Sequence, residues 1–154
     1  MRGLLDGPLQ GSRIRAHGDY HLGQVLWTGD DFAIIDFEGE PARPMSQRRF
    51  KRSPLRDVAG MLRSFAYAAS ASDLQRGRAA PEGWEDRARD SFMEGYLEAV
   101  DSALMPPGEA ATRTMLSIFE LEKAVYELRY ELNNRPDWVS IPVAGIVRLL
   151  EEPL

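Results

Sequence analysis

Apolar residues recur at helical spacing in three stretches of the chain and crowd into short runs near its start. Leu55, Val58, Leu62, Phe65 and Ala69 stand three or four positions apart, which predicts a helix with one buried face. Ser53 is placed to cap that helix and Pro54 to sit in its first turn. Phe92, Tyr96, Val100 and Leu104 predict a second helix over about 85–104, ended by Met105-Pro106-Pro107-Gly108. The third and longest covers about 110–133, with Ile118, Leu121, Val125, Leu128 and Leu132 as its core stripe, and Pro136 prevents it from continuing. An apolar segment from Pro142 to Leu150 closes the pattern. Residues 70–83, rich in Ala, Ser, Gly and Arg, read as a mobile connection.

The region 13–37 has a different rhythm, that of short β elements around a loop. Arg13-Ile14-Arg15 leads into the loop, and Val25-Leu26-Trp27 and Phe32-Ala33-Ile34-Ile35 flank Thr28-Gly29-Asp30-Asp31, whose residue types suit a hairpin turn. Pro41 and Pro44 punctuate a further loop. The expected fold class is therefore α+β, mainly α, with a small β-hairpin, in a single domain over 1–154. Within it, 12–41 form the loop and hairpin and 53–154 the helical part.

Composition narrows the function classes. The chain has 154 residues, 44% hydrophobic and 28% charged, enough for one soluble domain with a sizeable core. Its net charge of −5 argues against nucleic acid as a partner, because that binding draws on clustered Lys and Arg. The exception is the basic run Arg43, Arg48, Arg49, Lys51, Arg52 and Arg56, which reads either as a solvated face or as a surface toward polyphosphate. There is no cysteine, which removes disulfides, thiolate metal sites and a Cys nucleophile. No apolar run approaches a membrane span and no signal-peptide core opens the chain, so a cytoplasmic location with no membrane partner is expected.

The chemistry concentrates in His17-Gly18-Asp19-Tyr20-His21-Leu22-Gly23-Gln24, followed by Asp36-Phe37-Glu38. A kinase catalytic loop places an acidic base on a turn and a metal-binding amide five positions on; a second metal-binding Asp returns before a Phe. Asp19, Gln24 and Asp36 have that order and spacing, with Gln in place of the usual Asn and Gly18 in place of an Arg. Asp19 would take the proton of the attacking hydroxyl. Gln24 and Asp36 supply hard oxygen ligands suited to Mg²⁺, and the hairpin would bring them together. Glu38 and Glu40 add negative charge nearby; Glu38 is either an auxiliary group or structural. His17 and His21 lack the Cys or third His of a transition-metal site. His17 reads as a brace beneath the loop, and His21 as a contact to a substrate hydroxyl or a brace for Asp19.

The H-G-D segment with its spaced Gln24 and Asp36 resembles small-molecule kinases of the aminoglycoside-phosphotransferase type. The flanks narrow this: Arg13 to Leu26, Ile35 to Pro41, Lys51 to Phe65, Glu122 to Glu131 and Arg135 to Trp138 together resemble bacterial maltokinase along nearly the whole chain. The resemblance implies the C-terminal lobe of a protein-kinase-like fold, with the N-terminal nucleotide lobe absent from these residues. It implies phosphorylation of maltose by ATP with Mg²⁺, in α-glucan and trehalose metabolism, and either fusion to or association with trehalose synthase. It also implies that Asp57 accepts hydrogen bonds from the catalytic-loop backbone; as an early helix residue, Asp57 also complements the helix dipole. Tyr126 and Tyr130, one turn apart, fit with Arg148 the maltose-contacting positions of that family. By spacing alone the two tyrosines are half-buried packing residues.

Two other readings remain open at this level. One is a non-catalytic sugar-binding or regulatory module, which would have no use for Asp19, Gln24 and Asp36 together. The other is a kinase for another small-molecule hydroxyl, such as an aminoglycoside or choline-like alcohol, whose cationic acceptor calls for an acidic pocket.

Overall fold

The computed structural model describes residues 11–40 and 44–151. Most of the N-terminal lead-in, Pro41, Arg43 and the last three residues of the expected domain lie outside them. The described residues are helix-rich with one two-stranded antiparallel sheet. Strands β1 (Val25–Trp27) and β2 (Phe32–Ile34) pair Val25 with Ile34, Leu26 with Ala33 and Trp27 with Phe32. Thr28 closes the turn, its N–H and its hydroxyl both donating to the Asp31 carbonyl at 2.8 Å. Arg13 to Arg15 form no strand; Ile14 makes a single bridge to Arg52.

Five helices follow. The short α1 (Met45–Arg48) lies where the sequence reads as loop. Helix α2 (Leu55–Arg76) begins where the Ser53 hydroxyl accepts the Leu55 N–H at 3.3 Å. It runs through Arg76, so Ser70 to Arg76 are helical and not a connection. Ala and Ser tolerate helix well enough for tertiary packing to extend it, and it stops at Gly77, where φ is +59° and the N–H returns to the Asp73 carbonyl. Helix α3 (Trp84–Ala99) ends five residues earlier than the apolar spacing suggests, because Val100 is extended and residues Ser102–Leu104 form a separate 3-10 turn. Helices α4 (Glu109–Asn134) and α5 (Ser140–Glu151) complete the fold, with Pro136 opening the 3-10 turn between them.

The core sits where α2, α3 and α4 meet. Leu55, Val58, Leu62 and Met115 are buried there, with Phe65, Phe92, Tyr96 and Phe119 packed around them. Of the expected stripe of α2, Leu55, Val58 and Leu62 are buried and Phe65 and Ala69 partly so, and Ala59, Met61 and Ala66 are buried beside them. The stripe of α4 is not: Val125 and Leu132 are 45% and 57% exposed, while Met115, Glu120, Ala124, Glu127 and Glu131 are buried. The helix turns its glutamates inward because its neighbours present cations. Arg63 of α2 donates to Glu127 at 3.0 and 2.8 Å, and Arg89 of α3 holds Glu120 through two bonds of 2.9 and 3.0 Å. Glu131 accepts from Tyr67 at 3.2 Å and from Arg135 at 2.9 and 2.7 Å. Gly145 of α5 makes room for Arg63, since a Cβ there would fall 2.0 Å from its guanidinium.

Candidate active site

The loop after Arg15 is held against α2 by its own backbone. Asp57, in the first turn of α2, accepts the His17 N–H at 2.6 Å and the Gly18 N–H at 2.9 Å. Its first-turn position and its loop contacts therefore coexist. Burial raises the Asp57 pKa by more than its bonds to the Gly18 and His17 N–H groups lower it. The His17 ring lies buried beneath the loop, with Nε2 2.7 Å from the Ile35 carbonyl and Nδ1 accepting the Asp19 N–H at 3.3 Å. Nε2 therefore carries the proton. His17 thus joins the loop to the end of β2, and Phe37 packs against it with ring centroids 4.9 Å apart. Two close approaches complete the fit. Gly18, at φ +87°, leaves 3.2 Å between a notional Cβ and the Gly39 Cα, and Gly60 lets α2 come so near that a Cβ would sit 2.6 Å from the Tyr20 carbonyl oxygen.

Asp19 is thereby presented to a cavity of about 300 Å³ between the loop, α2 and α4. One carboxylate oxygen accepts from the Lys123 ammonium at 3.2 Å, and the other is 3.9 Å from His21 Nε2. That second distance is too long for a hydrogen bond. His21 instead turns Nδ1 to the Gly23 N–H at 3.0 Å, and burial lowers its pKa against the opposing pull of Asp19. Lys123 also approaches Glu40 at 3.8 Å and lies over the Tyr126 ring, 5.1 Å from its centroid. Burial, followed by the Glu40 and Asp19 charges, raises the Tyr126 pKa.

Gln24 and Asp36 meet where the hairpin returns to the loop. The Ile35 N–H donates to the Gln24 carbonyl at 3.0 Å, extending the β1–β2 ladder by one bond, and the Gln24 side-chain amide donates to Asp36 Oδ2 at 3.0 Å. Asp36 takes a left-handed backbone, φ +63°, the one non-glycine among the described residues to do so. Strain of this kind gathers at functional sites. With the amide nitrogen engaged, the Gln24 carbonyl oxygen and the second Asp36 oxygen are left as hard-oxygen donors of the kind a Mg²⁺ ion takes. No group of three or more His, Cys, Asp or Glu that could hold a metal occurs among the described residues. An ion there would take its remaining ligands from phosphate and water, as Mg²⁺ commonly does.

The structure brings Asp19, Gln24, Asp36, Asp57 and His21 to one loop system and adds Tyr126 from α4. Glu38 is exposed beside it. Tyr130 is 46% exposed and paired with Arg135, whose guanidinium lies 5.5 Å from its ring centroid. Arg148 is placed elsewhere: it donates to Glu85 at 3.1 Å and Asp86 at 3.5 Å and lines a second cavity with Arg63 and Arg89. The acids that follow these tyrosines, Glu127 and Glu131, are committed to Arg63 and to Tyr67 and Arg135. Lys123 and Glu40 are the residues that sequence reasoning underused, because a core stripe containing Val125 turns Lys123 toward solvent. The signal available was the i, i+3 spacing of Lys123 and Tyr126.

No protein-family model matches the chain. It is 28% identical over 144 residues to a glucosamine kinase of Streptacidiphilus jiangxiensis, covering 92% of this chain and 32% of that protein. It is 31% identical over 150 residues to a glucosamine kinase of Mycolicibacterium smegmatis (strain ATCC 700084 / mc(2)155), covering 95% and 37%. A solved glucosamine kinase in complex with glucosamine, ADP and inorganic phosphate superposes with a TM-score of 0.74 at 27% identity, over 87% of this chain and 34% of that one. A second crystal form gives 0.77 at 27% identity, over 89% and 34%. The chain spans about a third of the length of the curated relatives it matches. No helix among the described residues is long and apolar enough to cross a membrane. The chain is thus similar to sugar kinases along nearly its whole length, and none of these matches points to maltokinase specifically.

Proposed function

We propose that this chain is the acceptor-binding, base-carrying lobe of an ATP-dependent sugar kinase with a protein-kinase-like fold. The observation that carries the reading is Asp19, presented by the loop to a cavity of about 300 Å³. Gln24 and Asp36, paired by their side chains, lie in the same loop and hairpin. The sugar hydroxyl would be held in the cavity with its proton directed at Asp19. As the hydroxyl oxygen forms its bond to the γ-phosphorus and the bond to the ADP oxygen breaks, Asp19 takes the proton. Gln24 and Asp36 would hold Mg²⁺, which supplies charge neutralisation to the phosphates when bound. Asp57 and His17 act through the backbone, fixing where Asp19 points.

The acceptor is the finer question. The resemblance to maltokinase suggests maltose, and with it α-glucan and trehalose metabolism and an association with trehalose synthase. The curated relatives are glucosamine kinases, which suggests an amino sugar. Tyr126 borders the cavity in either case, and Tyr130 would contact only the outer part of a longer sugar.

The test is Asp19→Asn in the longest natural form of the protein that carries this chain. Turnover should fall by roughly two to four orders of magnitude while sugar binding changes little. Near-normal turnover would remove Asp19 from the mechanism.

A further inference from the structure

We propose that Lys123 is a positioning residue for the base: by occupying one oxygen of the Asp19 carboxylate, it turns the other, Oδ2, to the sugar hydroxyl. The proposal rests on the sugar-kinase reading above and concerns the same cavity, which Lys123 also lines. Rotation about the last side-chain torsion of an Asp exchanges its two oxygens, and that torsion is only broadly restrained. Left to itself, Asp19 would present either oxygen over a range of angles. Among the described residues one donor fixes it, the Lys123 ammonium, bonded to Oδ1 at 3.2 Å. Oδ2 has His21 Nε2 at 3.9 Å, beyond hydrogen-bond reach, and so remains for the substrate.

Lys123 is itself held in place. Its ammonium lies 3.8 Å from the buried Glu40 and 5.1 Å from the centroid of the Tyr126 ring. On α4 it stands three residues after Glu120 and four before Glu127, on the side of the helix that those two acids share. Glu120 is tied to Arg89 and Glu127 to Arg63, so the ion pairs that align α4 also set how far Lys123 reaches toward the loop. The choice of lysine matters, because this ammonium meets one oxygen of Asp19, whereas a guanidinium fork engages both oxygens of a carboxylate. As the hydroxyl oxygen bonds to the γ-phosphorus and the ADP oxygen departs, the hydroxyl proton passes to Oδ2 while Lys123 keeps its own protons and stays on Oδ1. Misplacing a reacting group by about 1 Å can cost about 10²-fold in rate. A base left free to rotate therefore loses turnover rather than affinity for the sugar.

The experiment measures kcat and KM for ATP-dependent phosphorylation of the best acceptor among glucosamine, glucose and maltose. It uses the longest natural form of the protein that carries this chain and its Lys123→Ala and Lys123→Arg variants. Lys123→Ala should lower kcat by about one to two orders of magnitude and change KM for the sugar by less than about threefold. Ethylammonium added to that variant should raise kcat saturably, by about fivefold or more, by donating to Oδ1 in place of the lost side chain. Tetramethylammonium at the same concentration carries the charge but has no N–H, and should restore nothing. An unchanged kcat, a loss carried by KM alone, or a recovery that is absent or equal with the two salts overturns the proposal. Lys123→Arg covers the case in which Lys123→Ala does not fold: its fork should take both oxygens of Asp19 and lower kcat by about tenfold or more with KM retained. A wild-type kcat in that variant overturns the proposal as well. Any of these failures in an enzyme whose wild type is active leaves the sugar-kinase reading standing, whereas a wild type that phosphorylates none of the three sugars overturns both.

Discussion

At the scale of single residues, the site is built from side chains that each satisfy two neighbours. His17 joins the loop to the strand end, Asp57 collects two backbone N–H groups, and Asp36 accepts an amide while its backbone sits in the left-handed region. Asp tolerates that conformation better than most residues. Asp36→Ala removes a carboxylate from the oxygen pair, and in the longest natural form of the protein it should abolish Mg²⁺-dependent nucleotide turnover even at high metal. A Mg²⁺ titration that matches wild type would contradict the assignment. Asp19, Gln24 and Asp36 were legible in the sequence because order and spacing on one short segment suffice to find them. Lys123 was not, because its contact with Asp19 spans 104 positions and depends on which way α4 is rotated.

That rotation is the main lesson at the scale of elements. Hydrophobic periodicity locates α4 to within a residue at each end and the start of α2, but not the end of α2, which lies seven residues past the last apolar position of its stripe. It misplaces the face of α4 by about one residue, since a helix paired with arginines buries its acids. Periodicity weighs only apolar residues and cannot see that Glu120, Glu127 and Glu131 have cations waiting on α2, on α3 and beyond the end of α4. Tyr67 gives this interior a pH signature. Burial, then the charges of Glu127 and Glu131, raise its pKa well above the ordinary 10.0. The folded protein therefore keeps the phenol protonated where the unfolded chain would ionise it. The stability linked to this group is complete below about pH 10 and is lost as the pH rises toward the folded value. Melting temperature followed from pH 8 to pH 11 should fall more steeply for wild type than for Tyr67→Phe. Parallel curves would show that Tyr67 is not the group responsible.

At the scale of the whole molecule, the hairpin stands out as an apolar surface facing water, with Trp27 and Phe32 60% and 63% exposed and Leu26 and Phe37 close behind. Exposed patches of this kind mark contact surfaces. The residues described here include no glycine-rich phosphate cradle, and the relatives are about three times as long. The 154-residue chain assayed alone is therefore expected to release no ADP in response to glucose, maltose or glucosamine. Sugar-stimulated ADP release by the purified chain above a no-sugar control would refute this. The ionic interior has a consequence of a different kind, for how α4 finds its alignment. Sliding the helix by one turn moves it about 5.4 Å, which parts Glu120 from Arg89 and Glu127 from Arg63 at once and leaves buried charges unmatched. Apolar faces forgive such a slip, whereas paired ions do not. Replacing Arg63 and Glu127 together with Met and Leu should thus leave stability equal or higher while broadening the thermal transition, as helices once keyed to one register become free to settle in several; a transition as sharp as wild type would assign the alignment to packing alone.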